Sequence, residues 1–325
     1  MFIEALESRT FLSVVTLTAN TTKILTLQPG ETLNGNGHTA GGVSGYDVSN
    51  VTVENLKVNG SKGDGIDIES AKAGISGLTM NNVTVWGFKS GYGIFIYTVG
   101  SGTFSKISLT DINAYGNGEA GISTWGATES ITQFSLTGSA AYNNAGLSNG
   151  QGPSGSGIML AGVNGGTVLQ CIAYNNGANN DSSSGPVGIW AYNCNALTIT
   201  QCYSYNNKTE MNDGGGFDLD GGVTNSTIIE CQSWGNIGYG FADFAYAGGA
   251  ANSGNSFIDN TSTADAEGFL YWSGGPTISN LTVSGNQFIA PTSGYAIVEY
   301  SGSPYVNISF TSNTYTASVL VLTQN

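Results

Sequence analysis

Residues 157–207 read GIMLAGVNGGTVLQCIAYNNGANNDSSSGPVGIWAYNCNALTITQCYSYNN and contain one phrase twice. Gly157-Ile158, Cys171 and Tyr174-Asn175-Asn176 make the first copy. Gly188-Ile189, Cys202 and Tyr205-Asn206-Asn207 make the second, each landmark displaced by 31 residues. A fixed displacement of this size marks a repeat whose units cannot bury an apolar face alone and must stack.

The same landmarks extend in both directions. Gly followed by a large apolar residue recurs at Gly65-Ile66, Gly93-Ile94, Gly121-Ile122, Gly216-Phe217, Gly240-Phe241, Gly268-Phe269 and Gly294-Tyr295. The 229 residues from Gly65 to Gly294 hold eight intervals of about 28.6 residues. The aromatic-x-Asn phrase recurs as Tyr115-Gly116-Asn117, Tyr142-Asn143-Asn144 and Trp234-Gly235-Asn236. It fits a tight turn in which Asn takes the left-handed conformation. Stacking would line these residues into an asparagine ladder and an aromatic stack. Each coil reads as strand, turn, strand, turn, strand, with strands of about five residues. Coils stacked about 4.8 Å apart would bury a continuous Ile, Val, Leu and Phe interior. The expectation is all-β: a single right-handed parallel β-helix of about ten coils over residues 23–325, behind a separate segment at 1–22.

Composition agrees with an extracellular solenoid. Charged residues make up 9% of the chain, against roughly 25% in ordinary soluble domains. The formal net charge is −14, with Arg9 the one arginine beside seven lysines. Nucleic acids and anionic membrane surfaces need a basic face, so both are disfavoured as partners. No apolar run reaches the roughly 18 residues of a membrane span. A monomer that is secreted or held at the cell surface is the expectation.

The opening segment MFIEALESRTFLS lacks the basic and apolar regions of a standard secretory signal. Through Leu6, Glu7, Arg9, Phe11 and Leu12 it resembles the short N-terminal export motif of planctomycete-type proteins, with Phe11 in place of the usual leucine. A short cap on the solenoid end is the alternative.

Cys171, Cys202 and Cys231 each sit three residues before a turn aromatic, hence at equivalent places in successive coils. In-register stacking rarely supplies disulfide torsions, so buried free thiols are expected, Cys194 included. The spacing matches no zinc pattern. His38, in LNGNGHTAGG, reads as a surface turn residue; as the sole histidine it excludes Ser-His-Asp, Cys-His and multi-His chemistry.

With the residue after each glycine inside, the second and fourth point outward. The outward set is rich in aromatic residues: Phe95, Tyr97, Trp125, Trp190, Tyr192, Phe244 and Trp272. Their flat faces suit sugar rings, making the sheet a candidate polysaccharide platform. A loop-covered satellite core is the alternative. From turn Asn to the next glycine the chain takes four steps at 117–121 and 236–240, but thirteen, twelve and nine at 144–157, 176–188 and 207–216. Insertions on one edge mark a binding face, here beside Trp190, Tyr192, Asp218 and Asp220.

Asp218 and Asp220 lie two residues apart on one face, about 6.5–7 Å between Cα atoms, a separation at which an acid and a base can flank a glycosidic bond. Asp213, Glu210 and Lys208 occupy the adjoining loop. Asp243 falls on the next coil, turned inward unless a bulge returns it to the cleft. Asp67 and Glu69 repeat the outward pair five coils earlier, about 24 Å away, too far to share its chemistry.

The repeat and the phrase GGGFDLDGG at 214–222 resemble the pectate lyase and polygalacturonase group of β-helix proteins. Three functions stand open. In a glycoside hydrolase acting on a neutral or weakly charged polysaccharide, Asp218 and Asp220 would serve as acid and base, with no cofactor. The resemblance to polygalacturonases supports clustered Asp, but the Gly-His-Gly and Arg-Ile-Lys signatures are missing, which argues against a uronate substrate. In a polysaccharide lyase, Asp213, Asp218, Asp220 and Asp243 would hold Ca2+ and Lys208 would abstract the proton. The third is a non-catalytic carbohydrate-binding or scaffold solenoid.

Overall fold

The structure is a computed structural model that describes residues 13–148, 152–300, 304–317 and 319–324. The export-like motif at residues 6–12 lies outside these; Ser13–Thr16 already pairs in parallel with Glu31–Asn34. Among the described residues every strand pairing is parallel and no helix occurs. The chain is a right-handed parallel β-solenoid with a number of turns close to the ten expected.

The Gly-apolar anchors stack in one sheet of 12 strands. Ile66, Ile94, Ile122, Ile158, Ile189, Phe217, Phe241 and Phe269 follow one another in register, all buried; the expected Gly294-Tyr295 pair breaks the series, because Ile297 stands opposite Phe269 and Tyr295 opposite Glu267. Phe217 and Phe241 stack with ring centroids 5.0 Å apart. The glycine before each anchor is a packing requirement. A Cβ on Gly93 or Gly157 would lie 2.5 Å from the carbonyl oxygen of the equivalent glycine one coil on. A second, 20-stranded sheet wraps the other faces.

The turn phrase forms both ladders. Each asparagine Oδ1 accepts from the backbone N–H and the amide of its predecessor, through Asn117, Asn144, Asn176, Asn207 and Asn236. The ladder closes on Asp265, whose Oδ1 takes both donors of Asn236. The left-handed residue, however, is the middle one of each phrase: Gly116, Asn143, Asn175, Asn206 and Gly235. The ladder asparagine points inward to bond along the axis, so the preceding residue makes the bend. Outside, Trp86, Tyr115, Tyr142, Tyr174, Tyr205 and Trp234 stack at centroid distances of 4.3–5.9 Å.

All four cysteines are buried free thiols. The Cys202 sulfur accepts from the Cys171 N–H and the Cys231 sulfur from the Cys202 N–H. Asn260, Asn286 and Asn313 continue the column at equivalent positions. The thiols thus replace asparagine where the interior is apolar, and burial pushes the Cys194 thiol up to about 12.

Candidate functional site

A cleft of about 820 Å³ lies on the outer face of the 12-stranded sheet. Its floor comes from strands Val187–Tyr192, Gly215–Leu219, Tyr239–Ala245 and Glu267–Ser273. Its wall comes from the long loops, which supply Pro153, Ser183, Ser184, Gly185, Met211, Asn212 and Asp213. The cleft brings together Asp213, Asp218, Asp220, Trp125, Trp190, Tyr192, Phe244 and Trp272 from the expected set.

Trp190 departs from the expected exposed platform. It is 6% exposed, packs with Met159, Val187, Tyr239, Ala242 and Leu270, and its indole N–H donates to Ser156 Oγ at 3.0 Å. Side chains of the same sheet thus form a satellite core over the inner part of the outward face. The exposed rim is carried by Trp125, 47% exposed, which stacks on Tyr192; the Tyr192 and Tyr246 hydroxyls meet at 2.9 Å.

Several expected residues lie elsewhere. Asp243 is fully buried inside the solenoid, where Asn252 and Asn255 donate to its two oxygens. The strand keeps its alternation there, so no bulge returns it to the cleft. Lys208 and Glu210 are exposed on the loop and do not line the cleft; their backbone N–H groups bond to Asn176 and Asn180. Phe95 lies in a separate depression, and Tyr97 donates to Glu69 at 2.7 Å. Among the described residues no three acidic, histidine or cysteine side chains converge as a metal-binding group. The quartet of Asp213, Asp218, Asp220 and Asp243 therefore does not assemble, and the residues present do not fit the expected calcium centre.

Tyr239, Tyr246 and Glu267 line the cleft without having been singled out. Tyr239 and Glu267 precede Gly240 and Gly268, a position that strict alternation turns inward. The chain bends just ahead of the glycine, so this residue faces outward. The recurrence of Asp64, Tyr92, Tyr239 and Glu267 before Gly65, Gly93, Gly240 and Gly268 was the available sign, since such residues would be costly in the core.

Asp218 is 4% exposed, and the Tyr239 hydroxyl donates to its Oδ2 at 3.1 Å. Its Oδ1 is buried with no hydrogen-bond partner. Burial, then the charges of Asp220 and Asp213, hold this carboxyl well above the ordinary carboxylate range. Asp220 Oδ1 accepts from the Gly221 N–H at 2.6 Å, and burial lifts its carboxyl to about 7. Asp213 Oδ2 accepts from the Gly185 N–H at 2.8 Å, and burial raises this group too. Burial and the Asp213 charge bring Glu267 to about 7. Among the described residues the cleft lining has four carboxyl groups and no lysine, arginine or histidine.

Fold and site together define a right-handed β-solenoid with an acidic, aromatic-walled cleft on one sheet. Residues 73–257 match the family described as right handed beta helix region, and the chain belongs to that family. No curated protein matches the sequence. Among solved structures, the enzymatically active domain of tailspike protein 2 from bacteriophage CBA120 aligns with TM-score 0.54 and 13% identity over 84% of this chain and 48% of that one. A GH136 lacto-N-biosidase from Eubacterium ramulus aligns at 0.53 and 14% over 96% and 61%. An alginate lyase from Paenibacillus sp. str. FPU-7 aligns at 0.52 and 11% over 96% and 98%. The chain spans about half the length of the tailspike domain it matches. At these identities the likeness is one of fold.

Proposed function

We propose that this protein is an extracellular glycoside hydrolase acting on an uncharged polysaccharide, with Asp218 as general acid and Asp220 as the base that activates water. The observation that carries the reading is the state of Asp218. Tyr239 occupies one carboxyl oxygen and leaves the other unpartnered beside the cleft. Burial and the charges of Asp220 and Asp213 favour the protonated form against the Tyr239 hydrogen bond, and the proton belongs on Oδ1, the oxygen without a partner, from which it would pass to a leaving glycosidic oxygen. Asp220, two residues on along the same outward face, is less strongly raised and can ionise to take a proton from water. Water attacks the anomeric carbon as the glycosidic bond breaks; Asp218 gives its proton to the leaving oxygen, and Asp220 receives one from the water.

The substrate class follows from the walls. Aromatic faces at Trp125, Tyr192, Phe244 and Trp272 supply stacking surfaces for sugar rings. Four carboxyl groups with no cation among them disfavour uronate chains. Lys208, the base that a lyase would use, stands outside the cleft.

The test is a panel of neutral polysaccharides assayed in parallel for reducing ends and for the ultraviolet absorbance of a new double bond. Reducing ends without absorbance are expected, unaffected by chelator and lost in Asp218→Asn but kept in the distant Asp67→Asn. Absorbing products that vanish with chelator would replace this reading by a lyase. Binding without turnover in every variant would leave a non-catalytic solenoid.

A further inference from the structure

We propose that a second depression on the same sheet is a remote subsite, so that one long uncharged glycan lies lengthwise along the solenoid across both cavities. This rests on reading the central cleft as a glycan site. The second depression, about 470 Å³, is lined by Tyr92, Phe95, Glu119, Trp125, Pro153 and Met159, with Gly152 at its edge. Trp125 and Pro153 also line the central cleft, so the two cavities adjoin. Their floors are one ladder: Phe95, Ser123, Met159, Trp190 and Asp218 are successive partners in register. Four coil steps separate Phe95 from Asp218, about 19 Å at the solenoid rise, which accommodates several sugar rings and exceeds a disaccharide.

The lining resembles the central one in chemistry. Tyr92, Phe95 and Tyr97 stack at 4.3 and 4.5 Å, so Phe95 is held between two tyrosine rings and, with Tyr92, lines the depression beside Glu119. No lysine, arginine or histidine lines either cavity. Asp64, beside Tyr92 through a 2.7 Å bond from the Tyr92 N–H, adds to the acidic surroundings. A polyanionic chain finds no counter-charge along the path, whereas an uncharged one meets aromatic side chains at both ends and at the exposed Trp125 between them.

The experiment is calorimetric titration of full-length Asp218→Asn, which holds substrate without cleaving it. The probes are ladders of β-linked glucose, mannose and N-acetylglucosamine oligomers from disaccharide to octasaccharide. In at least one ladder, affinity should climb with length by roughly tenfold or more, the scale of one well-packed aromatic contact. Adding Phe95→Ala should return long oligomers to the affinity of short ones and leave the short ones unchanged. Trp125→Ala, at an exposed position that spares the core, should also weaken long oligomers. Affinity independent of length, preference for oligogalacturonates, binding of no ladder, or long-chain affinity untouched by both substitutions would overturn the inference. Turnover by Asp218→Asn would instead remove the hydrolytic reading and leave any length dependence standing.

Discussion

Replacing Asp220 by asparagine should stabilise the protein, and more at pH 8 than at pH 5. In the folded state its carboxyl is lifted from 3.8 to about 7, chiefly by burial. A raised carboxyl favours the folded state fully only below its unfolded value near 4, and that advantage is lost as pH rises through about 7. Relative to a group that does not titrate, this costs about 2 kcal/mol at pH 5 and about 4 kcal/mol at pH 8. Asparagine keeps the oxygen that accepts from the Gly221 N–H and removes the charge. Burying its amide offsets part of the gain, leaving about 1–3 kcal/mol at pH 8. For a chain of this length, that is a rise in Tm of about 1–4 °C, with a smaller change at pH 5. Calorimetric melts of both proteins at the two pH values measure it. A lower Tm at pH 8, or equal shifts at both, would refute the idea that the cleft holds carboxyl groups against their preferred ionisation.

Turnover needs Asp220 ionised and Asp218 protonated, so kcat/KM should rise through about pH 7 and fall at higher pH; a pH–rate profile that keeps rising toward acid would show that no ionised carboxylate is needed as base. Proton NMR of fresh product should show inversion, because an Asp220 that activates water on the sugar face opposite the leaving oxygen turns the anomeric carbon over in one step; retention would break the assignment of Asp218 and Asp220 as acid and base. Ile158→Asp should cost about 4 kcal/mol or more and prevent native folding, since it places a charge in the fully buried ladder between Ile122 and Ile189; a cooperative melt near that of the parent would contradict the stacking of the anchors.

The solenoid was legible because its constraint repeats. Each glycine must clear the next carbonyl, each following residue must fill the core, and each ladder asparagine must bond along the axis, so one coil predicts the next. The cleft was legible where it obeys the same alternation, at Asp218, Asp220, Tyr192 and Trp272, and where loop length alone marks an edge. It was not legible where geometry departs from period two. Tyr239 and Glu267 face outward only because the chain bends ahead of the glycine. Asp243 kept the inward orientation that alternation gives it, and its partners Asn252 and Asn255 come from the following turn, beyond the reach of any local pattern. Trp190 looked like a platform, but Met159, Val187, Tyr239 and Leu270 pack around it, beside loops of thirteen, twelve and nine steps. Length showed that those loops form a wall and left open which side chains the wall turns inward, so Asp213 enters the cleft while Lys208 and Glu210 face solvent.

Asp218 must carry a proton at the pH of turnover, with Tyr239 on one carboxyl oxygen and the other buried without a partner. Carbon-13 NMR of the aspartate carboxyl groups, assigned by the signal missing from Asp218→Asn, reads this without any substrate. The expected result is a carboxyl titrating well above the ordinary range and shifting when Tyr239 becomes phenylalanine. An Asp218 carboxyl that titrates near 4, as an unperturbed aspartate does, would contradict it.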